Sequence, residues 1–296
     1  RATAARIRSL RHGGAERVVR AHPRLNAAQP RTRLMVDLHV HSTCSDGTIA
    51  PQDLPNIART LGLTGLALTD HDTVAGIARF MKAARVCGLR AIAGVEISAT
   101  YTNPETGGAG DGELHLLGYF PQWSAATVRA LRPLALIRKS RHQRNPQIVD
   151  RLRGLGLDIT YADVCQESDG QVIGRPHIAA TLLRKGYVKN IQQAYDRYVG
   201  DRAPAYVPKR IFSQRSAIAL IARAGGIPVL AHPKTLRFRA VDTLHCFVRQ
   251  LRDQGLRGIE AFYPTHSRHD TDTYRELAAS LDLFVTGGSD FHGDNK

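Results

Sequence analysis

The sequence has few cysteines and no long apolar run. Its four cysteines, Cys44, Cys87, Cys165 and Cys246, form no CxxC pair, which argues against a zinc ribbon or a disulfide framework and favours a reducing, cytoplasmic location. No apolar run approaches the roughly 20 residues that a membrane-spanning helix needs, so we expect no membrane partner. Hydrophobic residues still make up 43% of the 296 residues, enough for the core of one large domain.

Acidic residues are also scarce. The sequence has 26 of them against 41 lysines and arginines, which gives a net charge of +15. Residues 1–33 contain nine arginines and one acid, Glu16, and so contribute +8 of that charge. This segment lacks the apolar core of a secretory signal. We interpret it as a basic, disordered leader outside the fold, with an organelle presequence or a nucleic-acid-binding tail as alternatives. The remaining +7 suits an anionic substrate such as a phosphate ester.

Short apolar runs recur along the rest of the chain, and most are followed by a helical pattern. The runs are continuous rather than alternating, as in parallel strands that are buried on both faces. Seven such units predict an α/β domain with a parallel sheet that closes, or nearly closes, into a barrel. The predicted strands are Leu34–Val40, Thr64–Thr69, Ala91–Ile97, Leu114–Phe120, Ile227–Ala231, Arg257–Phe262 and Leu283–Thr286.

The segment 124–206 breaks this rhythm, because it is basic and helical in pattern and contains little strand signal. We therefore predict that residues 34–123 and 207–296 form the barrel. Residues 124–206 would form a small helical insertion domain between the fourth and fifth strands.

Histidines and acids collect at the carboxyl ends of the predicted strands. In α/β barrels the carboxyl ends of the strands form the catalytic face, so side chains from most of the chain would meet at one mouth. The residues in these positions are His39, His41, Asp70, His71, Asp72, Glu96, His232, Asp290 and His292.

The spacing within these clusters is typical of a metal site. Residues two apart on an extended strand point to the same side, so His39 and His41 can bind one ion, and Asp290 and His292 repeat this spacing. Imidazoles and carboxylates without thiolates suit Zn²⁺, Mn²⁺ or Fe²⁺ rather than Ca²⁺. His115 lies near the start of its strand, and by pattern alone it is equally a core residue or a ligand.

The motifs MVDLHVHSTCSDGT, ALTDHDT, GVEIS, AHP and GGSDFHG resemble the PHP (polymerase and histidinol phosphatase) family over about residues 35–294. Within the family, the chain looks like the branch of 3′,5′-nucleoside bisphosphate phosphatases and 5′–3′ exoribonucleases. The resemblance implies a distorted (β/α)₇ TIM-like barrel with two or three divalent ions, Mn²⁺ ahead of Fe²⁺ or Zn²⁺. It also implies a phosphorylated nucleotide or a short oligonucleotide as the substrate.

The resemblance further implies a role for each candidate ligand. Asp37 and Asp70, each close to a ligand histidine in sequence, would fix imidazole orientation, with simple capping of the strand ends as the alternative. The implied ligands are His39, His41, Glu96 and Asp290 for a first ion, Glu96, His115 and His232 for a second, and Asp46, His71 and His292 for a third.

The motif GRPHIA within 124–206 resembles a family feature that faces the substrate phosphate. Arg175 offers a planar guanidinium group where Pro176 can begin a helix, whose N-terminus favours anions. We therefore predict Arg175, His177 and His232 as catalytic residues, with His232 or His292 as the proton donor to the leaving oxygen.

These features predict a metal-dependent phosphatase of nucleotides, for example one that converts a nucleoside 3′,5′-bisphosphate to the 5′-monophosphate and phosphate. A 5′–3′ exoribonuclease of short RNA is the alternative, because the same site suits it. An amidohydrolase fits less well, since such enzymes usually need a metal-bridging lysine and no lysine ends a predicted strand. A non-catalytic metal-binding module also fits less well, because the ligand set is complete. We infer no obligate protein partner.

Overall fold

The fold is taken from a computed structural model. It describes residues 35–108, 110, 114–167, 173–200, 203–208 and 212–293. The predicted leader at residues 1–33 lies outside these ranges.

A single sheet forms the centre of the fold, and its strands follow the order β1-β2-β3-β4-β6-β7-β8, with the short β5 beside β3. All seven predicted strands are present, and their side chains are mostly buried because helices cover the outer face. The strands are β1 (Val36–Val40), β2 (Gly65–Leu68), β3 (Arg90–Thr100), β4 (Leu114–Phe120), β5 (Phe212–Ser213), β6 (Ile227–Leu230), β7 (Gly258–Phe262) and β8 (Phe284–Gly287).

The fourth strand departs from the prediction of an all-parallel sheet. β4 runs antiparallel to both β3 and β6. A parallel pair needs a crossover connection, usually a helix, whereas a loop suffices for an antiparallel pair, and the segment between β3 and β4 has no helical pattern. As a result β4 begins, rather than ends, at the rim where the parallel strands end, and His115 pairs with Ser98 there.

The two ends of the sheet meet, so that the barrel is nearly closed. The His41 amide donates to the Phe291 carbonyl oxygen at 2.9 Å, and Val40 forms a parallel bridge with Phe291. Closure needs a glycine at position 288, because a Cβ there would lie 2.3 Å from the Cβ of His39. The predicted distorted TIM-like barrel is therefore confirmed.

Helices surround the barrel and bury Phe80, Ile221, Phe247 and Leu277 against it. Across the described ranges, no helix is both long and apolar enough to cross a bilayer. The helices are α1 (Leu54–Thr60), α2 (Ile77–Cys87), α3 (Ala125–Ala130), α4 (Leu134–Gly154), α5 (Tyr161–Cys165), α6 (Arg175–Arg184), α7 (Ile191–Ala194), α8 (Gln214–Arg223), α9 (Val241–Asp253) and α10 (Arg268–Ser280), with a π-helical turn at Tyr195–Val199 and a 3₁₀ turn at Pro233–Leu236.

The segment 124–206 contains helices α3 to α7 and, in its described part, no strand. Most of it packs around a second hydrophobic cluster that includes Ile148, Leu152 and Ile178. Helix α4 joins the two cores, because Leu134 and Ile137 near its start pack in the barrel cluster. The boundaries of an insertion domain at 124 and 206 stay a prediction.

Candidate metal centre

The predicted ligands converge at the barrel rim formed by the carboxyl ends of the parallel strands and the amino end of β4. His39 and His41 leave β1 on the same side, and Glu96 projects from β3 between them and His115. Glu96 is fully buried, as are both β1 histidines. Because β4 runs antiparallel to its neighbours, His115 at its amino end lies at the same rim as the carboxyl ends of the parallel strands.

The first group of ligands surrounds one oxygen of Glu96. The Nε2 atoms of His39 and His41 each lie 3.2 Å from Glu96 Oε2. They also lie 3.3 and 3.2 Å from Asp290 Oδ1. These four side chains can hold one ion between them.

The other oxygen of Glu96 faces a second group. His115 Nδ1 and His232 Nε2 each lie 3.0 Å from Glu96 Oε1, and the two nitrogens are 3.3 Å apart. Glu96 can therefore bridge two ions through its two oxygens. His71 Nδ1, at 3.1 Å from Glu96 Oε2, also joins Glu96 and His115 in a possible ligand set.

The third group is built around Asp46. Its Oδ1 lies 3.3 Å from His292 Nε2, and its Oδ2 lies 3.8 Å from His71 Nε2. His292 Nδ1 donates to the Asp290 carbonyl oxygen at 2.7 Å, which fixes the ring with Nε2 directed at the centre. His41 belongs to this third group as well as to the first. All nine predicted ligands are thus brought together, and their roles as ligands stay a prediction.

Several of the buried ligand atoms are better placed to bind a shared cation than to form hydrogen bonds with one another. Among the described residues, His39 Nε2, His41 Nε2, His71 Nδ1 and Glu96 Oε2 are buried and have no hydrogen-bond partner. A buried polar atom without a partner costs about 1–3 kcal/mol. The three histidine nitrogens lie 3.1–3.2 Å from Glu96 Oε2 without forming hydrogen bonds to it. This arrangement is expected of ligands that are directed at a shared ion. Nitrogen and carboxylate oxygen are donors that suit Mn²⁺, Fe²⁺ or Zn²⁺.

The electrostatics of the cluster also favour cations. Burial alone would raise the pKa of Glu96, but the surrounding imidazoles, led by His71, hold it well below the usual value. Burial would lower the pKa of His41, yet the nearby carboxylates of Asp290 and Glu96 raise it to about 9. Burial lowers the pKa of His71 to about 3. The carboxylates are therefore ionised and attract positive charge, which the proton on His41 supplies in the absence of metal.

Glu260 was not predicted from the sequence, and it supports the cluster from below. His39 Nδ1 donates to Glu260 Oε1 at 3.0 Å, and the His232 amide donates to Glu260 Oε2 at 2.8 Å. The second bond holds His232 in place, whose backbone φ of 25° is strained for any residue other than glycine. The signal in the sequence was an acid within the apolar strand β7, GIEAF.

The predicted orienting roles of Asp37 and Asp70 need correction. Asp37 accepts from the backbone amides of His39, at 3.2 Å, and Ser289, at 2.9 Å. Asp70 accepts from the Ser42 amide and from Ser45 Oγ, both at 2.7 Å. Both carboxylates hold the loops rather than an imidazole, because the rings point away from them into the centre.

Replacing Glu260 with glutamine should weaken metal binding by roughly 10- to 100-fold, the usual effect of removing a partner that orients a metal ligand. Glutamine has nearly the same volume, so the barrel should fold, while the carboxylate that accepts from His39 is lost. Metal affinity by isothermal titration calorimetry measures the effect. An affinity equal to that of the unchanged protein would contradict the role.

A cavity of about 850 Å³ extends from the metal centre to the helices of 124–206 and is lined by Arg175. The Arg175 guanidinium lies 5.7 Å from the ring centroid of Tyr195 and 5.6 Å from that of Tyr206. His177 is buried, and its Nδ1 accepts from the Gly174 amide at 3.1 Å. Burial also lowers the pKa of His177. The catalytic roles of Arg175, His177 and His232 stay predictions.

The fold and the cluster define a class of protein: an α/β barrel whose rim carries a cluster of histidines and acids that could hold metal ions. Comparison with known proteins agrees. The model of the PHP domain family matches residues 37–200. A 5′–3′ exoribonuclease of Haemophilus influenzae is 35% identical over 86% of this chain and 89% of its own length. A 3′,5′-nucleoside bisphosphate phosphatase of Chromobacterium violaceum is 30% identical over 87% of each.

Structural comparison gives the same result. The solved structure of a candidate metal-dependent phosphoesterase from Bifidobacterium adolescentis superposes with a TM-score of 0.77, with 32% identity over 89% of this chain and 90% of the other. The chain belongs to the PHP family. Its named relatives hydrolyse phosphate esters, in agreement with the class of activity expected from the sequence.

Proposed function

We propose that the protein is a metal-dependent phosphatase that hydrolyses phosphate monoesters of nucleotides, such as a nucleoside 3′,5′-bisphosphate. One observation carries the proposal: both oxygens of Glu96 face groups of imidazoles at one end of a cavity that arginines line elsewhere. Divalent ions, when bound there, lower the pKa of a water from about 16 to about 7 and polarise a phosphoryl oxygen.

The residues around the centre position the substrate. Arg175 NH1 donates to the Val199 carbonyl oxygen at 3.3 Å, and the rings of Tyr195 and Tyr206 flank its guanidinium. A guanidinium held in this way loses little entropy when it binds an anion, and its planar shape suits bidentate contact with phosphate. His232 Nδ1 lies 3.0 Å from Thr235 Oγ1, which orients its Nε2 towards Glu96 and the centre.

A 5′–3′ exoribonuclease acting on short RNA is the second candidate function, because the Haemophilus influenzae relative carries that name. Both activities need hydrolysis of a phosphate ester beside a nucleoside, so the ligand cluster supports either.

Three finer points belong to the proposal. We propose Mn²⁺ as the metal, with Fe²⁺ or Zn²⁺ as alternatives, because these ions share the ligand types of the cluster. A cytoplasmic location is supported by the scattered cysteines. Residues 124–206 as an insertion domain are supported by the second hydrophobic cluster, which that segment supplies almost entirely.

The test uses the purified full chain with two substrates, adenosine 3′,5′-bisphosphate and a short 5′-phosphorylated RNA. We expect release of inorganic phosphate from the bisphosphate, loss of that release with a chelator, and its return when Mn²⁺ is added. Release of mononucleotides from RNA at a higher rate than phosphate from the bisphosphate would favour the exoribonuclease. Failure to hydrolyse either substrate, or hydrolysis that a chelator does not change, would overturn the proposal.

A further inference from the structure

Asp290 lies on a segment whose backbone is fixed by its neighbours. The His41 amide donates to the Phe291 carbonyl oxygen at 2.9 Å, and the Thr48 amide donates to the His292 carbonyl oxygen at 3.0 Å. Asp290 itself has a φ of 53°, in the left-handed region that residues other than glycine adopt mainly where their surroundings impose it. The position of its Cβ atom is therefore set, and what stays adjustable is the rotation of the carboxylate.

The two oxygens of the Asp290 carboxylate have different surroundings. Oδ1 faces the first group of ligands, at 3.3 Å from His39 Nε2 and 3.2 Å from His41 Nε2. Oδ2 accepts a hydrogen bond from the Tyr263 hydroxyl at 2.7 Å. The torsion that turns an aspartate carboxylate has only broad preferences of its own, so a short hydrogen bond to the charged oxygen can decide which oxygen faces the ligands.

Tyr263 is well placed to hold this carboxylate. It directly follows β7, which pairs in parallel with β8, so its ring reaches Asp290 from the neighbouring strand. The ring also lies beside two imidazoles, with its centroid 5.4 Å from that of His232 and 5.1 Å from that of His266. These contacts fix the ring independently of the hydrogen bond, as is required of a side chain that orients a metal ligand.

The hydrogen bond limits how Asp290 can bind an ion. A carboxylate can bind a metal through one oxygen or through both. With Oδ2 held by Tyr263, Asp290 offers only Oδ1 to an ion in the first group. A metal that acts on a substrate needs a coordination position that no protein side chain takes. Tyr263 and Asp290 both line the cavity, so a position kept free there is accessible to water and substrate.

We propose that Tyr263 is a positioning residue, which limits Asp290 to one oxygen towards the first ion and so keeps a coordination position of that ion open to the cavity. This inference rests on the proposed function, because it assigns the open position to water or to a phosphate oxygen of the substrate. The hydroxyl acts through Asp290 and does not contact the substrate. Its removal should therefore change how the ion is held, and with it the rate of turnover, but not how tightly the substrate binds.

The structural test compares crystals of the Mn²⁺-loaded full chain with crystals of Tyr263→Phe. This substitution removes only the hydroxyl and keeps the ring beside His232. We expect Asp290 to bind the first ion through one oxygen in the unchanged protein and through both oxygens in the variant. One-oxygen binding in both proteins, or two-oxygen binding in the unchanged protein, overturns the inference. The comparison needs no turnover, so it decides on Tyr263 even if the proposed function fails because no nucleotide is hydrolysed.

The kinetic test measures phosphate release from adenosine 3′,5′-bisphosphate at saturating Mn²⁺. Tyr263→Phe should lower kcat by roughly 10- to 100-fold, the usual effect of removing the partner of a metal ligand, and should leave KM nearly unchanged. The matched control is Tyr187→Phe, which also removes a hydrogen-bonded hydroxyl, 2.8 Å from the Asp158 amide nitrogen, but does not line the cavity. It should leave both constants unchanged. A rise in KM without a fall in kcat, or a fall in kcat while Asp290 keeps one oxygen on the ion, would show that the hydroxyl contacts the substrate and so contradicts the positioning role.

Discussion

Replacing Glu96 with glutamine should remove both the bound metal and the turnover. Its two oxygens lie 3.0–3.2 Å from five imidazole nitrogens, so it is the one carboxylate shared by the first and second ligand groups. An amide brings no negative charge and presents only one oxygen. We expect activity to fall at least about 1,000-fold, equivalent to the several kcal/mol that metal ions contribute in the transition state.

Metal analysis of the purified variant and an assay of phosphate release check this expectation together. Glu276→Gln is the matched control, since Glu276 is exposed on α10 and outside the ligand groups. It should retain full metal content and activity. If Glu96→Gln bound as much metal as the control and turned over as fast, Glu96 would be removed from the site.

The second large effect concerns stability. Asp72→Asn should destabilise the protein by about 3–5 kcal/mol, because it leaves the buried Arg141 without its counter-charge. Asparagine keeps nearly the same shape, so the loss comes from charge and not from a cavity. The expected fall in melting temperature is roughly 10 °C, measured by circular dichroism of the full chain.

The double variant Asp72→Asn/Arg141→Met is the control for this interpretation. It removes both charges, so that no buried charge is left without a partner. Its melting temperature should therefore exceed that of Asp72→Asn alone. A melting temperature for Asp72→Asn equal to that of the unchanged protein would show that the ion pair contributes nothing.

Much of the barrel could be predicted from the sequence because its signals are local. Each strand is a short apolar run, and each parallel strand places its last residues at one rim. The HxH spacing of His39 and His41 is likewise a local pattern that puts both rings on one side of β1. These features do not depend on which strand pairs with which, so the ligands could be named before the pairing was known.

The direction of β4 could not be predicted in this way. An apolar run reads the same in both directions, and direction is decided by the connection to the preceding strand. With β4 taken as parallel, His115 stood at the wrong end of its strand. Once β4 is antiparallel, the same position lies at the rim beside Ser98, and the geometry agrees with the ligand role that family resemblance implied.

Glu260 was missed for a different reason. It is a charged residue within a strand whose neighbours are buried, and no local pattern shows what such a residue faces. Glu260 acquires its role from His39, more than 200 residues away in sequence. Contacts of this kind depend on tertiary structure and follow only from coordinates.

The reversed fourth strand has a consequence for how the family's substrate range can change. Because β4 pairs antiparallel with β3, the end of β3 at Thr100 and the start of β4 at Leu114 both lie at the mouth of the barrel. Surface loops tolerate insertions and deletions well when the elements they join stay fixed. The connection between these two strand ends is therefore a place where new sequence can be added beside the entrance while the strand register, and the histidines that depend on it, are preserved.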